Sequence, residues 1–201
     1  MLSAHHLHYY RQQRLLFSDL SFQIAAGKLL LITGENGSGK SSLLRLLTGL
    51  SLPHQGEISW QGKPIRQWGT VYWENMHFVS HHHGIKLGLT VQENLQFTRS
   101  LLCQQTIAEE SLLKKLRLDT QPSLLANYLS AGQKRRLALA KLFLFPRKIW
   151  ILDEPLSALD SATQQFFLTQ LENHLKNDGL AILSTHQPIY LKDTPTQTLT
   201  L

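Results

Sequence analysis

Gly34-Glu35-Asn36-Gly37-Ser38-Gly39-Lys40-Ser41 decides the fold. The spacing G-x-x-x-x-G-K-S is that of a loop whose backbone N–H groups point inward at a phosphate. The flanks agree with it. Lys28 to Thr33 is a short apolar run suited to a buried strand, and Ser41 to Leu50, reading SSLLRLLTGL, has apolar residues at helical spacing. Strand, glycine loop and helix thus occur in the order a phosphate loop requires, and the pattern implies a nucleoside triphosphate ligand.

Outward from the loop, Leu20, Phe22 and Ile24 alternate with polar or small residues, as in a half-buried strand, and Ala26-Gly27 is a turn signal. Residues 56–63, GEISWQGK, read as an exposed strand, and Met76 to Ser80 as a weaker one. The stretch from Thr90 to Tyr128 is rich in Leu, Glu, Lys and Gln and predicts helix, interrupted near Asp119–Pro122. It is expected to form a small helical subdomain, about residues 90–130, inserted within a single domain spanning 1–201. Ser130 is placed to cap a helix starting near Gly132, with Leu137, Leu139, Leu142 and Phe143 as its apolar stripe and Pro146 at its end. Ile149 to Leu152 reads as a buried parallel strand running into Asp153-Glu154. Ala162 to Leu175 predicts a helix ended by Gly179, and Leu180 to Leu183 a strand followed by Thr185-His186. The remainder is too short for an appended regulatory domain.

The chain has 201 residues, 42% of them hydrophobic, enough for one sizeable core. No run reaches the ~18 apolar residues of a membrane span. The opening MLSAHHLHYYRQQR lacks the apolar centre of a secretory signal. Cys103 is the single cysteine, so no intrachain disulfide forms and a reducing compartment fits. The formal charge of +6 favours anionic partners. Lys and Arg are scattered apart from Lys114-Lys115 and Lys134-Arg135-Arg136, and neither zinc-finger spacing nor an RNA-recognition aromatic motif accompanies them, so no nucleic acid partner is expected. An ordinary solvated basic surface is the plainer account.

The chemistry follows from residue types. Gly34, Glu35, Asn36, Gly37, Ser38, Gly39, Lys40, Ser41 and Ser42 would surround the phosphates of ATP, with Lys40 reaching the β- and γ-groups. The Ser41 hydroxyl suits Mg²⁺, and Asp153 can hold the same ion through water. Glu154 is the candidate to polarise the attacking water, against the alternative that it only tunes local charge. His186 could contact the γ-phosphate, or be an ordinary neutral hydrogen-bonded ring.

At these residues the chain resembles the nucleotide-binding domain of ABC transporters over nearly its whole length. Residues 34–41 resemble Walker A. Leu129-Ser130-Ala131-Gly132-Gln133 resembles the LSGGQ signature, with Ala131 for the first glycine. Ile149 to Asp153 resembles Walker B, followed by the catalytic glutamate at Glu154. Ser157-Ala158-Leu159-Asp160 resembles the D-loop, and His186 the switch histidine. A monomeric P-loop kinase would account for neither LSAGQ nor SALD. The resemblance implies an α/β P-loop NTPase with a RecA-like core, an antiparallel β region and a helical subdomain. It further implies an ATP-sandwich dimer in which Ser130, Ala131, Gly132 and Gln133 of one copy, with Asp160, complete the site of the other. Two positions depart from it. Where a glutamine is expected the chain reads Ser80-His81-His82-His83, so His81 or His82 must replace it, and His82 is the expected metal contact. The three histidines also invite a dedicated metal or haem site, but no second ligand cluster accompanies them. The adenine-stacking aromatic is Tyr10, with Tyr9 as the alternative.

Within the family, residues 42–65, 81–97 and 129–160 are similar to the ATPases of cytochrome c maturation (haem export) complexes. That likeness implies membrane subunits resembling CcmB and CcmC, ATP-driven release of the haem-loaded chaperone CcmE, and a peripheral position on the cytoplasmic face of the inner membrane. The alternatives are the ATPase of another small-substrate exporter and a soluble ABC ATPase. The soluble kind commonly carries a long insertion or two fused nucleotide domains, and neither is present.

Overall fold

The computed structural model describes residues 1–82, 84–102, 109–119, 122–192 and 194–201. His83 and Cys103 fall outside them. Among the described residues, two sheets, seven α-helices and a 3-10 turn make the architecture. β1 (Leu2–Arg11), β2 (Arg14–Ile24), β4 (Gln55–Trp60) and β5 (Lys63–Pro64) form an antiparallel sheet in the order β2-β1-β4-β5. β3 (Leu29–Thr33), β6 (Met76–Val79), β7 (Ile149–Asp153), β8 (Leu180–Ser184) and β9 (Thr196–Thr200) form a parallel sheet in the order β6-β7-β8-β3-β9. This is a P-loop NTPase fold.

Both faces of the parallel sheet are covered, which is why its central strands read as continuous apolar runs. Side chains alternate between two cores. Leu30, Ile32, Ile151 and Ile182 face α1 (Lys40–Leu47) and the antiparallel sheet, meeting Leu43, Leu47, Leu2, Ile24 and Ile58. Leu29, Leu31, Trp150, Leu152 and Leu183 face α6 (Ala131–Leu144) and α7 (Ser161–Lys176), meeting Leu139, Phe167 and Leu171. Before α6, the short α2 (Ile65–Trp68) and α3 (Thr70–Glu74) precede β6. Then come α4 (Val91–Leu102), α5 (Glu109–Lys115) and a 3-10 turn at Ala126–Tyr128. A third core joins Val91, Leu95, Leu112 and Leu116 to Leu137, Ala140 and Leu144 on the far side of α6. The helix α6 therefore has two buried faces.

Several elements differ from the sequence reading. β1 was not expected. Its Leu2, Ala4 and Leu7 are fully buried, but bulges after Ala4 and Leu7 break the two-residue alternation and leave His5 and His6 both exposed. β9 was missed because TQTLT is a polar edge strand. The Lys134-Arg135-Arg136 cluster is not uniformly solvated: Arg135 is 1% exposed.

Candidate nucleotide-binding site

The site lies where β3, β7 and β8 end, at the carboxyl edge of the parallel sheet, as is usual for open α/β sheets. From Thr33 the chain turns through Gly34 (φ 141), Gly37 (φ 84) and Gly39 (φ 112) into α1. At Gly34 no other residue fits, since a Cβ there would stand 2.5 Å from the Leu201 carbonyl and 2.8 Å from the Ser38 hydroxyl. Lys40 is 7% exposed, and its ammonium donates to the carbonyls of Gly34 at 2.8 Å and Glu35 at 2.9 Å. The Ser38 hydroxyl is buried without a partner. A buried cation, an unspent hydroxyl and a helix N-terminus converge on one loop, which fits a polyphosphate.

The second wall is set by the ends of β7 and β8. All five residues of β7 are buried. Asp153 is paired in register with Ser184, whose hydroxyl donates to its Oδ1 at 2.5 Å. Glu154 then leaves the sheet in a left-handed conformation (φ 49), its N–H donating to the Ser184 hydroxyl at 2.9 Å. That conformation is unusual for a residue with a Cβ. It brings Glu154 Oε1 to 3.1 Å from His186 Nε2. Glu154 also lines a cavity of about 350 Å³ together with Asn36, Gly37, Gly39, Lys40, Ser41 and Ser42. His186 lines an adjoining cavity of about 720 Å³ with Thr33 and Gly34. Sequence-distant carboxylate, imidazole, ammonium and hydroxyls therefore meet at one place. The opposite wall of the 350 Å³ cavity is Arg11, Gln12, Arg14 and Leu16, which the sequence reading did not single out.

Ser41 and Asp153 offer hard oxygen donors of the type Mg²⁺ prefers. His82 is exposed, its ring 5.8 Å from that of His81, and it does not line the cavity. Among the described residues no group of three His, Cys, Asp or Glu side chains could hold a metal ion.

The signature segment builds a helix start. Ser130 accepts from the Gln133 N–H at 3.2 Å, while the Gln133 side chain accepts from the Ser130 N–H at 2.8 Å, a reciprocal capping box. Gly132 is needed for close approach: a Cβ there would stand 2.7 Å from the Ala158 carbonyl. Asp160 caps α7 through the Thr163 N–H at 2.9 Å and receives Arg136 at 3.3 Å and Arg117 at 3.6 Å. The Thr163 amide, with help from both arginines, holds the Asp160 carboxyl below the usual carboxylate range. None of Ser130, Ala131, Gly132, Gln133 or Asp160 lines the cavity that holds Lys40.

Arg135 ties three segments together. It donates to the carbonyls of Ser80 at 3.0 Å, Asp153 at 2.5 Å and Pro155 at 3.3 Å. Burial pushes its guanidinium down to about 10, so it stays charged at neutral pH. Tyr10 is 42% exposed and edge-on to His54 at 5.3 Å, beside the hairpin tip rather than in the cavity wall. Tyr9 is spent on packing, stacked on Phe17 at 5.9 Å.

Comparison with known proteins gives matches to both the sequence and the fold. The ABC transporter family model matches residues 17–157. Three curated relatives carry the name cytochrome c biogenesis ATP-binding export protein CcmA. Those of Shigella sonnei (strain Ss046) and Nitrosomonas europaea are each 42% identical, and that of Escherichia coli (strain K12) 41%. All three alignments cover 100% of this chain and 95% or 96% of the relative. A solved ATP-binding subunit of an ABC transporter has a TM-score of 0.82 at 24% identity, covering 92% of this chain and 79% of that one. A dimeric ATP-binding cassette in a post-hydrolysis state with ADP and phosphate has a TM-score of 0.78 at 22% identity, covering 93% and 88%.

Proposed function

Because this chain belongs to the ABC transporter family and is an ATPase, we propose that it is the ATP-hydrolysing subunit of a cytochrome c biogenesis export complex. Full-length identity of about 42% to relatives bearing that name carries the pathway assignment. Glu154, in the wall that holds Lys40 and 3.1 Å from His186, carries the catalytic one.

In this reading the loop from Gly34 to Ser42 binds the triphosphate. Lys40 exchanges the carbonyls of Gly34 and Glu35 for phosphate oxygens. Ser41, and Asp153 through water, would hold Mg²⁺, which would supply charge neutralisation to the phosphates; His82, in place of the expected glutamine, would join them only by turning its exposed ring towards the site. Glu154 orients the attacking water and takes its proton. His186, with its Nε2 3.1 Å from Glu154 Oε1, steadies that carboxylate and faces the γ-phosphate. Positioning and electrostatics do most of the work in phosphoryl transfer, and both are built here by the glycine loop and the ends of β7 and β8. The exposed ring of Tyr10 stacks the adenine.

Ser130, Ala131, Gly132 and Gln133, with Asp160, stand apart from their own chain's cavity, which supports a role in the site of a second copy. The start of α6 offers an anion the same peptide dipoles as the start of α1. ATP would hold two copies face to face, and the region from α4 to the 3-10 turn would pass the change to membrane subunits resembling CcmB and CcmC, ending in release of the haem-loaded chaperone CcmE. No described helix is long and apolar enough to cross a membrane. The proposed location is peripheral, on the cytoplasmic face of the inner membrane.

The test is a pull-down from native membranes with Mg²⁺ and ATP, using Glu154→Gln protein. The variant should bind ATP, accumulate as a dimer and recover CcmB and CcmC. Recovery of a different permease would reject the pathway while keeping the ATPase, and wild-type turnover by the variant would remove Glu154 from its role.

A further inference from the structure

The tip of the β1–β2 hairpin has the makings of a second phosphate contact. Arg11 and Arg14 are direct cross-strand partners, joined by the two-residue turn Gln12-Gln13. Like charges facing each other across an antiparallel pair repel. Among the described residues neither guanidinium has an ion-pair or hydrogen-bond partner to relieve this. The turn is strained as well, since Gln12 adopts φ 56, a conformation costly for a residue with a side chain. An unrelieved charge pair on a strained turn is expected where a ligand supplies the missing anion.

The hairpin's placement says which anion. Leu16 is half-buried and presses on the loop, so that a Cβ on Gly39 would meet the Leu16 Cβ at 3.3 Å. Arg14 and Leu16 line the same cavity. Arg11, Gln12, Arg14 and Leu16 consequently form the wall facing Lys40, Ser41 and Ser42 across about 350 Å³. Lys40 is buried, held by the Gly34 and Glu35 carbonyls. The arginines stand at the hairpin side, beside Tyr10.

We propose that Arg11 and Arg14 form a guanidinium clamp on the α-phosphate end of the bound nucleotide, opposite the glycine loop. The proposal rests on the nucleotide site described above. Lys40 and the loop then grip the β- and γ-phosphates, Tyr10 meets the base, and the clamp spans the interval between them. Guanidinium forks suit this task because they bind phosphate oxygens through two parallel N–H donors.

The test is titration of the purified full-length chain with ATP, ADP and CTP. Arg11→Gln/Arg14→Gln should raise Kd by a similar factor for all three, about ten- to a hundredfold, as expected for two lost charge-assisted contacts. Arg11→Lys/Arg14→Lys should recover part of the loss, and the salt dependence of binding should flatten in the Gln variant. Arg14→Glu controls for folding. It creates an ion pair with Arg11, so the nucleotide-free protein should melt at or above the parent temperature while the ATP-induced rise in Tm disappears. Binding within twofold of the parent by the double Gln variant would overturn the clamp, as would a loss confined to ATP over CTP or a lower melting point for Arg14→Glu. Lys40→Ala separates the two levels. If it abolishes binding while the arginine variants bind normally, only the clamp fails. If it too binds normally, the nucleotide site itself is misassigned.

Discussion

Replacing Gly132 with alanine sets two effects against each other. Gly132 is in the first turn of α6, in ordinary helical conformation, and alanine is the better helix former by up to ~1 kcal/mol. Helix propensity alone would raise Tm. Packing opposes it, because the new methyl would stand 2.7 Å from the Ala158 carbonyl. That carbonyl has little room to retreat: Ala158 is left-handed (φ 59), and the turn below it is tied by Ser157 N–H to Glu154 O at 3.1 Å. Overpacking of this kind costs ~1–3 kcal/mol. The balance is a net loss of about 1 kcal/mol, or a fall of about 2–4 °C in Tm for a domain of this size. Activity should suffer more. The displaced turn begins at Glu154, and a shift of about 1 Å at a positioned group costs on the order of a hundredfold in rate. Thermal melting and steady-state phosphate release would check both. A higher Tm with unchanged turnover would show that the Gly132–Ala158 contact is neither tight nor connected to Glu154.

The other predictions are local. Ser130→Ala removes the cap and half of the capping box, and should cost about 1 kcal/mol by chemical denaturation; adding Gln133→Ala should cost less than its single-variant value, and full additivity would mean that the two residues are independent. Gly179→Ala drives a methyl into the His174 ring, which is stacked 4.1 Å from Trp150 and cannot yield, so a loss of ~1–3 kcal/mol is expected, relieved when His174 is also alanine. Burial pushes His77 down to about 3 and His174 down to about 4, from an ordinary value near 6.5. The unfolded chain therefore takes up protons first. Stability is complete above about pH 6.5 and falls as pH drops towards 4, by up to ~1.4 kcal/mol per pH unit for each histidine still neutral. His174→Phe should remove about half of that slope between pH 6 and 5, and an unchanged slope would place the acid sensitivity elsewhere.

The phosphate loop, β7 and α6 were readable because their signals are local: glycine spacing, a continuous apolar run, and a serine before an apolar helix. The meeting of Glu154 with His186 was readable only as a resemblance, since it depends on two strands lying side by side. Arg135 was misread for a different reason. Charge in a sequence carries no depth, and only the carbonyls of Ser80, Asp153 and Pro155 distinguish it from its neighbour Lys134. The hairpin wall was hidden because bulges in β1 disguise a strand, so Arg11 and Arg14 passed as part of a polar terminus.

The anchoring of α6 bears on how force crosses the molecule. Arg135 fastens the helix to the ends of β6 and β7, and Lys141 fastens it again at the Phe78 carbonyl, 2.6 Å away. Its opposite face is packed into the third core with Val91, Leu95 and Leu112. Rolling the helix about its own axis would strip buried cations of their acceptors, at several kcal/mol for each. Rotation is thus strongly resisted, and the helix is built as a strut rather than a bearing. A push on α4 would be passed along α6 towards the carboxylate end of β7 rather than absorbed by rotation of the helix.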